Sequence, residues 1–310
     1  MLRVTADIFS GRPDPSWIVT DEVEARSILR DLQKDGQLLT DTASADGGLG
    51  FRGLRVEGLT DDLGADLEMR DSLYVPIGAG RGDGRTSELA ERLLATMARA
   101  EPDPSAADAD SALALDETFH AYLKSQFEQA SRASRMDTLD QPDHQKQASE
   151  DARLAAATCM IEFGAFNPGF WNNDPTVRST NNCYNYASNK RTNTFAQPGR
   201  GSGHMYTAIT CPAVTTASLS DGLHRRFDCF PDSEKPRYLV AMVVAPGPGF
   251  VDFHWYRKQK EGFWGHKPGG TAARNTDNSG HVITNPETCN RGPYTQFCGY
   301  FYTCKSQRIR

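Results

Sequence analysis

Alternation of apolar and polar residues dominates the first 80 residues and predicts short strands there. Val23, Ile28 and Leu32 recur near helical spacing behind Asp21, which predicts a helix with an aspartate cap. The elements predicted for this half are strands at 2–9, 51–59 and 72–78 and helices at 21–33, 87–100 (capped by Ser87) and 112–131. The polar stretch 132–150 is poor in apolar side chains and is expected to be a linker.

Beyond the linker the pattern changes to apolar strands separated by loops rich in Asn, Gly and Thr. The run from Leu239 to Pro246 is continuously apolar, which is typical of a buried strand. The elements predicted here are helices at 150–164 and from Cys183, a loop at 167–182, and strands at 204–210, 237–245, 249–258, 263–267 and 299–304. We therefore expect an α+β protein with a smaller domain at 1–131 and a second domain at 151–310.

Charge divides the chain in the same way. The net charge is −6, but residues 1–150 hold 16 Lys and Arg against 29 Asp and Glu, whereas residues 151–310 hold 18 against 11. The acidic half is therefore expected to dock on the basic half or to face a different partner, unless the difference is only a drift in composition. No basic run with interleaved aromatics indicates nucleic-acid binding.

Neither a membrane span nor an export signal is visible. No apolar run approaches the ~20 residues that cross a bilayer, and the N-terminal residues lack the apolar stretch of a signal peptide. The sequence therefore predicts a cytoplasmic protein, or one exported by a route without a visible signal.

Cysteine usage separates the halves again, because all seven cysteines follow residue 158. They are Cys159, Cys183, Cys211, Cys229, Cys289, Cys298 and Cys304. An odd number leaves at least one thiol unpaired. Six structural cysteines with one reactive thiol would fit an oxidising compartment, and seven free thiols would fit the cytoplasm. No Cys-x-x-Cys or HExxH motif occurs, so we expect no metal and no cofactor.

Cys183 is the strongest candidate nucleophile. In the segment TNNCYNYA, Asn182 is a good helix cap, which would place Cys183 in the first helical turn. Backbone N–H groups and the helix dipole favour a thiolate there, and the thiolate is the reactive form of cysteine. The alternative is a buried structural cysteine or one half of a disulfide.

His254 is the candidate base for this thiol. In VDFHWYRKQ, alternation places Asp252, His254 and Tyr256 on one face of a strand. A hairpin centred near residue 260 would pair His254 with His266, which could then orient its ring. Asn275, Asp277 and Asn278 are other candidates for that role, and His254 could equally be a surface or hydrogen-bonded histidine.

The remaining site candidates have structural alternatives. The backbone N–H of Cys183 and the side chains of Asn181 and Asn182 could stabilise an oxyanion, or the two asparagines could cap the helix and form turns. Four aromatic residues could line a substrate groove or fill the core. They are Trp171, Tyr184, Trp255 and Trp264.

A cysteine at a helix start, followed by a strand histidine and a polar residue across a hairpin, resembles the NlpC/P60 branch of the papain-like cysteine peptidases. The resemblance covers about residues 155–305. It implies a papain-like fold with an antiparallel sheet packed on helices. It also implies hydrolysis of a peptide or cell-wall-type amide, with Cys183 as nucleophile, His254 as base and His266 as orienter.

A second resemblance is to named proteins, but it implies no mechanism. The segments NNCYNYA, TFAQPG, HWYR and HKPGGT are similar to segments of uncharacterised bacterial proteins and of mollusc proteins called insoluble shell matrix proteins. The alternative function is therefore a non-catalytic, cysteine-rich matrix or recognition module that retains a relic of a thiol site.

Overall fold

The computed structural model describes residues 1–34, 48–59, 72–77, 84–103, 115–136, 161–225 and 231–310. These residues form two compact units. Within the described ranges, the first unit contains residues 1–9 and 13–136, and the second contains Ser10–Arg12 together with 161–310. Each unit combines helices with an antiparallel sheet, which confirms the expected α+β class.

The first unit is built around a central strand. Its elements are β1 (Leu2–Asp7), β2 (Ser16–Val19), α1 (Glu22–Lys34), β3 (Gly53–Gly58), β4 (Leu73–Pro76), α2 (Gly84–Met97), β5 (Glu101–Pro102) and α3 (Glu117–Met136). The strands form one sheet in the order β4-β3-β1-β2-β5. In β1, the buried Leu2, Val4 and Ala6 alternate with partly buried polar residues, as the sequence pattern predicts.

A buried ion pair joins β1 to the start of β3. Arg52 pairs with Asp7 and also donates to the carbonyl oxygens of Ile8 and Phe9, at 3.3 and 2.8 Å. The hydroxyl of Tyr74 donates to the second Asp7 oxygen at 2.8 Å. Burial is the largest single influence and would raise the pKa of Asp7, but the Arg52 charge together with the hydrogen bonds from Arg52 and Tyr74 outweighs it and lowers the pKa.

The second unit holds the candidate site. Its helices are α4 (Gly169–Asn172), α5 (Pro175–Thr180), α6 (Cys183–Ser188) and α7 (Cys211–Ser220), and its strands are β6 (His224–Arg225), β7 (Leu239–Pro246), β8 (Val251–Lys258), β9 (Trp264–His266) and β10 (Gln296–Tyr302). The strands form an antiparallel sheet in the order β6-β10-β7-β8-β9. Helix α6 packs against β8, where Cys183 and Tyr184 join a core that includes Phe253 and Trp255.

A disulfide between Cys211 and Cys298 links α7 to β10. Of the cysteines in the described residues, Cys183, Cys289 and Cys304 are free. The other two cysteines of the sequence, at positions 159 and 229, lie outside the described residues.

Two predictions for the second unit are wrong. The segment 204–210 is not a strand but irregular chain that leads into α7, whose first turn is capped by Thr210. The segment 167–182, predicted as a loop, contains α4 and α5. The side chain of Asp174 accepts hydrogen bonds from the first amides of α5, and this capping starts a helix too short for an apolar periodicity to reveal.

Predicted boundaries shift in both units. Residues 161–164 are not helical, and the rest of the helix predicted at 150–164 lies outside the described residues. Helix α2 begins before Ser87, and α3 continues into the first residues of the predicted linker. The remainder of the linker, 137–150, is outside the described residues, so the domain boundaries stay predictions. In the described part of the chain, no helix has the length and apolarity needed to span a membrane.

Candidate functional site

Helix α6 positions Cys183 as the sequence predicts. The Asn182 side chain accepts hydrogen bonds from the amides of Tyr184 and Asn185, at 3.1 and 3.2 Å, and the Asn185 side chain accepts in return from the Asn182 amide. This reciprocal cap starts the helix at Cys183. The Cys183 thiol points toward β8, where its sulfur lies 3.9 Å from the carbonyl oxygen of Phe253.

His254 and His266 meet on one face of the sheet, although not as direct partners. The register pairs Tyr256 with His266, so the hairpin is centred on residue 261, and the predicted direct pairing at 260 is wrong. The residue opposite His266 is therefore Tyr256 instead of His254, and this shift of two residues along β8 leaves His254 and His266 on the same face of the sheet. His254 is therefore the diagonal neighbour of His266, and its Nε2 lies 2.8 Å from His266 Nδ1.

Hydrogen bonding assigns the protons of the two imidazoles. His266 Nε2 lies 2.9 Å from the carbonyl oxygen of Thr276, which only accepts, so Nε2 carries the hydrogen. His266 Nδ1 then accepts from His254 Nε2. In the neutral form, His254 therefore keeps its basic lone pair on Nδ1, and His266 orients the ring of His254.

All three candidate catalytic side chains are buried. Cys183 and His254 have no exposed surface, and His266 is 1% exposed. A nucleophile and its base must reach a substrate, and Cys183 and His254 are fully enclosed in the structure.

Burial also shifts the pKa values of Cys183 and His266. Burial, followed by the charge of Asp252, raises the pKa of the Cys183 thiol well above its ordinary value. Burial and the Arg274 charge lower the pKa of His266 to about 3, against the hydrogen bond to Thr276. The prediction that the helix start would favour a thiolate is therefore wrong for this environment, because desolvation outweighs the short helix.

Asp252 is the central polar residue that the sequence placed on the His254 face without assigning a role. Its carboxylate accepts the backbone N–H groups of Ser10 and Arg12 at 2.6 and 2.9 Å, and that of Gly11 at 3.2 Å. The Tyr294 hydroxyl donates to it as well. Burial raises the pKa of Asp252, and these donors oppose that shift. Alternation revealed the face of Asp252, but the three amides that it accepts lie some 240 residues earlier in the sequence.

The two asparagines serve local structure. Asn181 accepts from the amides of Thr192 and Asn193 at 3.0 and 3.1 Å and donates to the carbonyl of Val177 at 2.8 Å, which shapes the loop before α6. Asn182 caps α6. The described contacts therefore support the structural alternative for both residues, and their role toward an oxyanion stays a prediction.

The four aromatic candidates lie in the core rather than along a groove. Their exposed fractions are 1% for Trp171, 1% for Tyr184, 0% for Trp255 and 4% for Trp264. Large aromatic surfaces stabilise the fold most when they leave water, and here each ring packs on other aromatic or apolar side chains.

Lys267 is a buried residue that sequence reasoning missed. Its ammonium donates to the carbonyl oxygens of Arg178, Asn181 and Gly269, at 2.5, 2.5 and 2.8 Å. It therefore ties the end of α5 and the residue before the α6 cap to the loop that follows β9. A lysine next to Pro-Gly-Gly predicts a loop, and nothing local indicates that its ammonium is enclosed.

The fold and the site define an α+β module with a disulfide between α7 and β10, a buried cysteine and a buried, hydrogen-bonded histidine pair. Insoluble matrix shell protein 1 of Ruditapes philippinarum is 47% identical over 148 residues, which are 48% of this chain and 93% of that protein. The chain belongs to the family of that protein, which is about half as long. No protein-family model and no solved structure matches the chain, so the NlpC/P60 resemblance gains no support.

Proposed function

We propose that the second unit is a non-catalytic matrix or recognition module in which Cys183 and the His254–His266 pair are buried structural residues. The observation that carries the proposal is their burial, since none is more than 1% exposed. A buried hydrogen-bonded chain such as His254–His266–Thr276 stabilises and specifies a core when its groups are satisfied. Amide hydrolysis would instead require the thiol to reach a carbonyl carbon.

Electrostatics supports the same function. The thiol pKa is raised and the His266 pKa is lowered to about 3, so both groups are neutral near pH 7. A neutral thiol is a poor nucleophile. The name of the relative, insoluble matrix shell protein 1, describes a matrix component, and a matrix role for this chain agrees with a site that lacks a reactive thiolate.

Thiol alkylation in the native full-length chain tests the proposal. Iodoacetamide labelling is followed peptide by peptide between pH 6 and 9, and Cys289, which is partly exposed, serves as the internal reference. We expect Cys183 to label more slowly than Cys289 at every pH and to reach the same extent only after denaturation. Faster labelling of Cys183, with an apparent pKa below the ~8.5 of free cysteine and loss of that reactivity in His254→Ala, would refute it.

A second candidate, a papain-like thiol peptidase or amidase, is favoured by one observation. The hydrogen bond between His254 Nε2 and His266 Nδ1, together with the one between His266 Nε2 and the Thr276 carbonyl, orients the His254 ring. His254 directly follows Phe253, whose carbonyl oxygen faces the Cys183 sulfur. In this mechanism Cys183 would attack a peptide or cell-wall-type amide while His254 takes the thiol proton and returns it to the leaving amine. Amide cleavage of cell-wall peptides, present in wild type and absent in Cys183→Ser, would establish it.

We also propose that the protein works in an oxidising compartment. The disulfide between Cys211 and Cys298 supports this, because such bonds persist outside the reducing cytoplasm. Mass analysis of protein isolated under acid quenching should find these two cysteines oxidised, and their recovery as free thiols would contradict export. The predicted docking of the acidic half on the basic half stays a prediction, tested by the salt dependence of the unfolding midpoint.

A further inference from the structure

The main chain of Ser10–Arg12 makes a dense set of hydrogen bonds with the rest of the second unit. Its three consecutive N–H groups converge on the Asp252 carboxylate, at distances between 2.6 and 3.2 Å. Such a run of amides around one anion is a recognised way of binding a carboxylate. Here the anion belongs to β8, and the amides belong to a tripeptide that lies some 150 residues before the rest of its unit.

The carbonyl groups of the segment are recognised as well. The side-chain amides of Asn182 and Gln197 both donate to the Gly11 oxygen, at 2.8 and 2.7 Å. The backbone amides of Gly269 and Cys183 approach the Ser10 oxygen at 3.1 and 3.5 Å. The binding groups therefore come from the α6 cap, the loop that follows α6 and the loop that follows β9, and they converge on one short stretch of backbone.

The slot accepts only a small residue at its centre. An ideal Cβ built on Gly11 would lie 2.5 Å from the backbone oxygen of Phe253 and would also overlap the Phe253 ring. Relief of that overlap would require β8 itself to move. The Arg12 side chain adds a directional contact, from Nη1 to the Val251 carbonyl oxygen at 2.9 Å.

We propose that these groups form a peptide-binding slot that recognises a backbone with glycine at its central position, and that Ser10–Arg12 is its exchangeable occupant. Asp252, Asn182 and Gln197 are each 0% exposed with the segment in place. Their polar atoms would lose these partners if the slot were empty, so a replacement peptide of the same backbone chemistry is favoured. The slot goes beyond the proposed matrix function and does not depend on a reactive Cys183.

The test uses the full-length chain with its own segment weakened. Gly11→Ala introduces the overlap with Phe253. Gly164→Ala is the matched control, because its Cβ would make only an ordinary contact of 3.6 Å with Tyr238. The probes are two blocked, fluorescein-labelled heptapeptides of residues 8–14, one with the natural glycine and one with alanine at the position of Gly11, titrated by fluorescence anisotropy.

We expect Gly11→Ala to bind the glycine peptide at least about 10-fold more tightly than wild type, in which the tethered segment competes at an effective concentration of about millimolar. Gly164→Ala should behave like wild type. The alanine peptide should bind Gly11→Ala at least about 10-fold more weakly than the glycine peptide. Equal affinity for both peptides, or no binding by a folded Gly11→Ala, would overturn the proposal.

If Gly11→Ala fails to fold, hydrogen exchange in the wild type tests whether Ser10–Arg12 leaves the slot without global unfolding. An exchangeable segment opens locally, without unfolding of the sheet. The amides of Ser10–Arg12 should then exchange at least about 10-fold faster than those of β8. Exchange of both at the same protected rate would mean that the segment leaves only on global unfolding, and the slot would have no exchangeable occupant.

Discussion

Replacement of His266 by glutamine tests the electrostatic description of the buried cluster. His266 is hydrogen-bonded to His254 and Thr276, stacks on Tyr256 and lies near the positive charge of Arg274. Burial and that charge lower its pKa from 6.5 to about 3. The folded protein therefore holds this imidazole neutral at pH values where the unfolded chain would protonate it.

The sign of the pH effect follows from this difference. Between pH 6.5 and 3 the unfolded state binds a proton that the folded state does not, so the free energy of unfolding falls as the pH falls. The loss from this one group is about 2 kcal/mol at pH 5 and approaches about 5 kcal/mol below pH 3. His266→Gln removes the titrating group, so its destabilisation relative to wild type should be about 2 kcal/mol smaller at pH 5 than at pH 8.

Urea unfolding followed by tryptophan fluorescence measures the effect. Three of the four tryptophans, all but Trp17, lie in the second unit, so the signal reports mainly on that unit. Wild type, His266→Gln and the control His281→Gln, which removes an exposed imidazole, are compared at pH 8 and pH 5 with the disulfide intact. If His266→Gln lowers the free energy of unfolding by the same amount at both pH values, the conclusion that His266 is held neutral in the folded protein would be refuted.

Four further perturbations test contacts elsewhere. Arg52→Met should destabilise the first unit by about 3–5 kcal/mol in thermal denaturation, because it leaves a buried carboxylate unpaired; a loss below 1 kcal/mol would contradict that ion pair. Asn182→Ala should lose at least about 1–2 kcal/mol in urea unfolding, because the helix cap and the donor to the Gly11 carbonyl are both removed, and an unchanged midpoint would count against it. Lys267→Met should cost about 3 kcal/mol or more by the same measurement, because three carbonyls, two of them in buried hydrogen bonds, lose a charged donor. A change near zero would mean that water replaces the ammonium. Reduction of Cys211–Cys298, 87 residues apart, should cost about 4.6 kcal/mol of unfolding free energy, and an unshifted midpoint in reductant would disagree with the chain-entropy argument.

Local signals predicted much of the second unit correctly. The apolar run at 239–246 is β7, the alternation around His254 is β8, and Asn182 caps the helix that starts at Cys183. These features depend on residues within one element, since periodicity and capping act over a few positions. The failed prediction at 204–210 has the same origin, because an apolar stretch of that length does not by itself distinguish a strand from a chain that leads into a helix.

The candidate site depends partly on strand register and distant contacts, which local sequence patterns do not predict. Alternation correctly placed His254 and His266 on one face, because side-chain parity survives an even shift of register. The direct pairing was wrong, because the turn geometry sets the register and the residues 259–263 do not specify it by composition alone. Lys267 escaped notice because its carbonyl partners come from three separate segments of chain.

The sequence by itself determined the α+β class, the strand faces and the capped start of the Cys183 helix, all of which follow from patterns that repeat every two to four residues. Only the tertiary structure decided that Cys183 and the two histidines are enclosed, that the thiol is neutral, and that Ser10–Arg12 completes the second unit. The physical reason is that desolvation and buried hydrogen bonds depend on which distant segments pack together. The Asp252 carboxylate and the amides of Ser10–Arg12, some 240 positions apart, are the clearest instance.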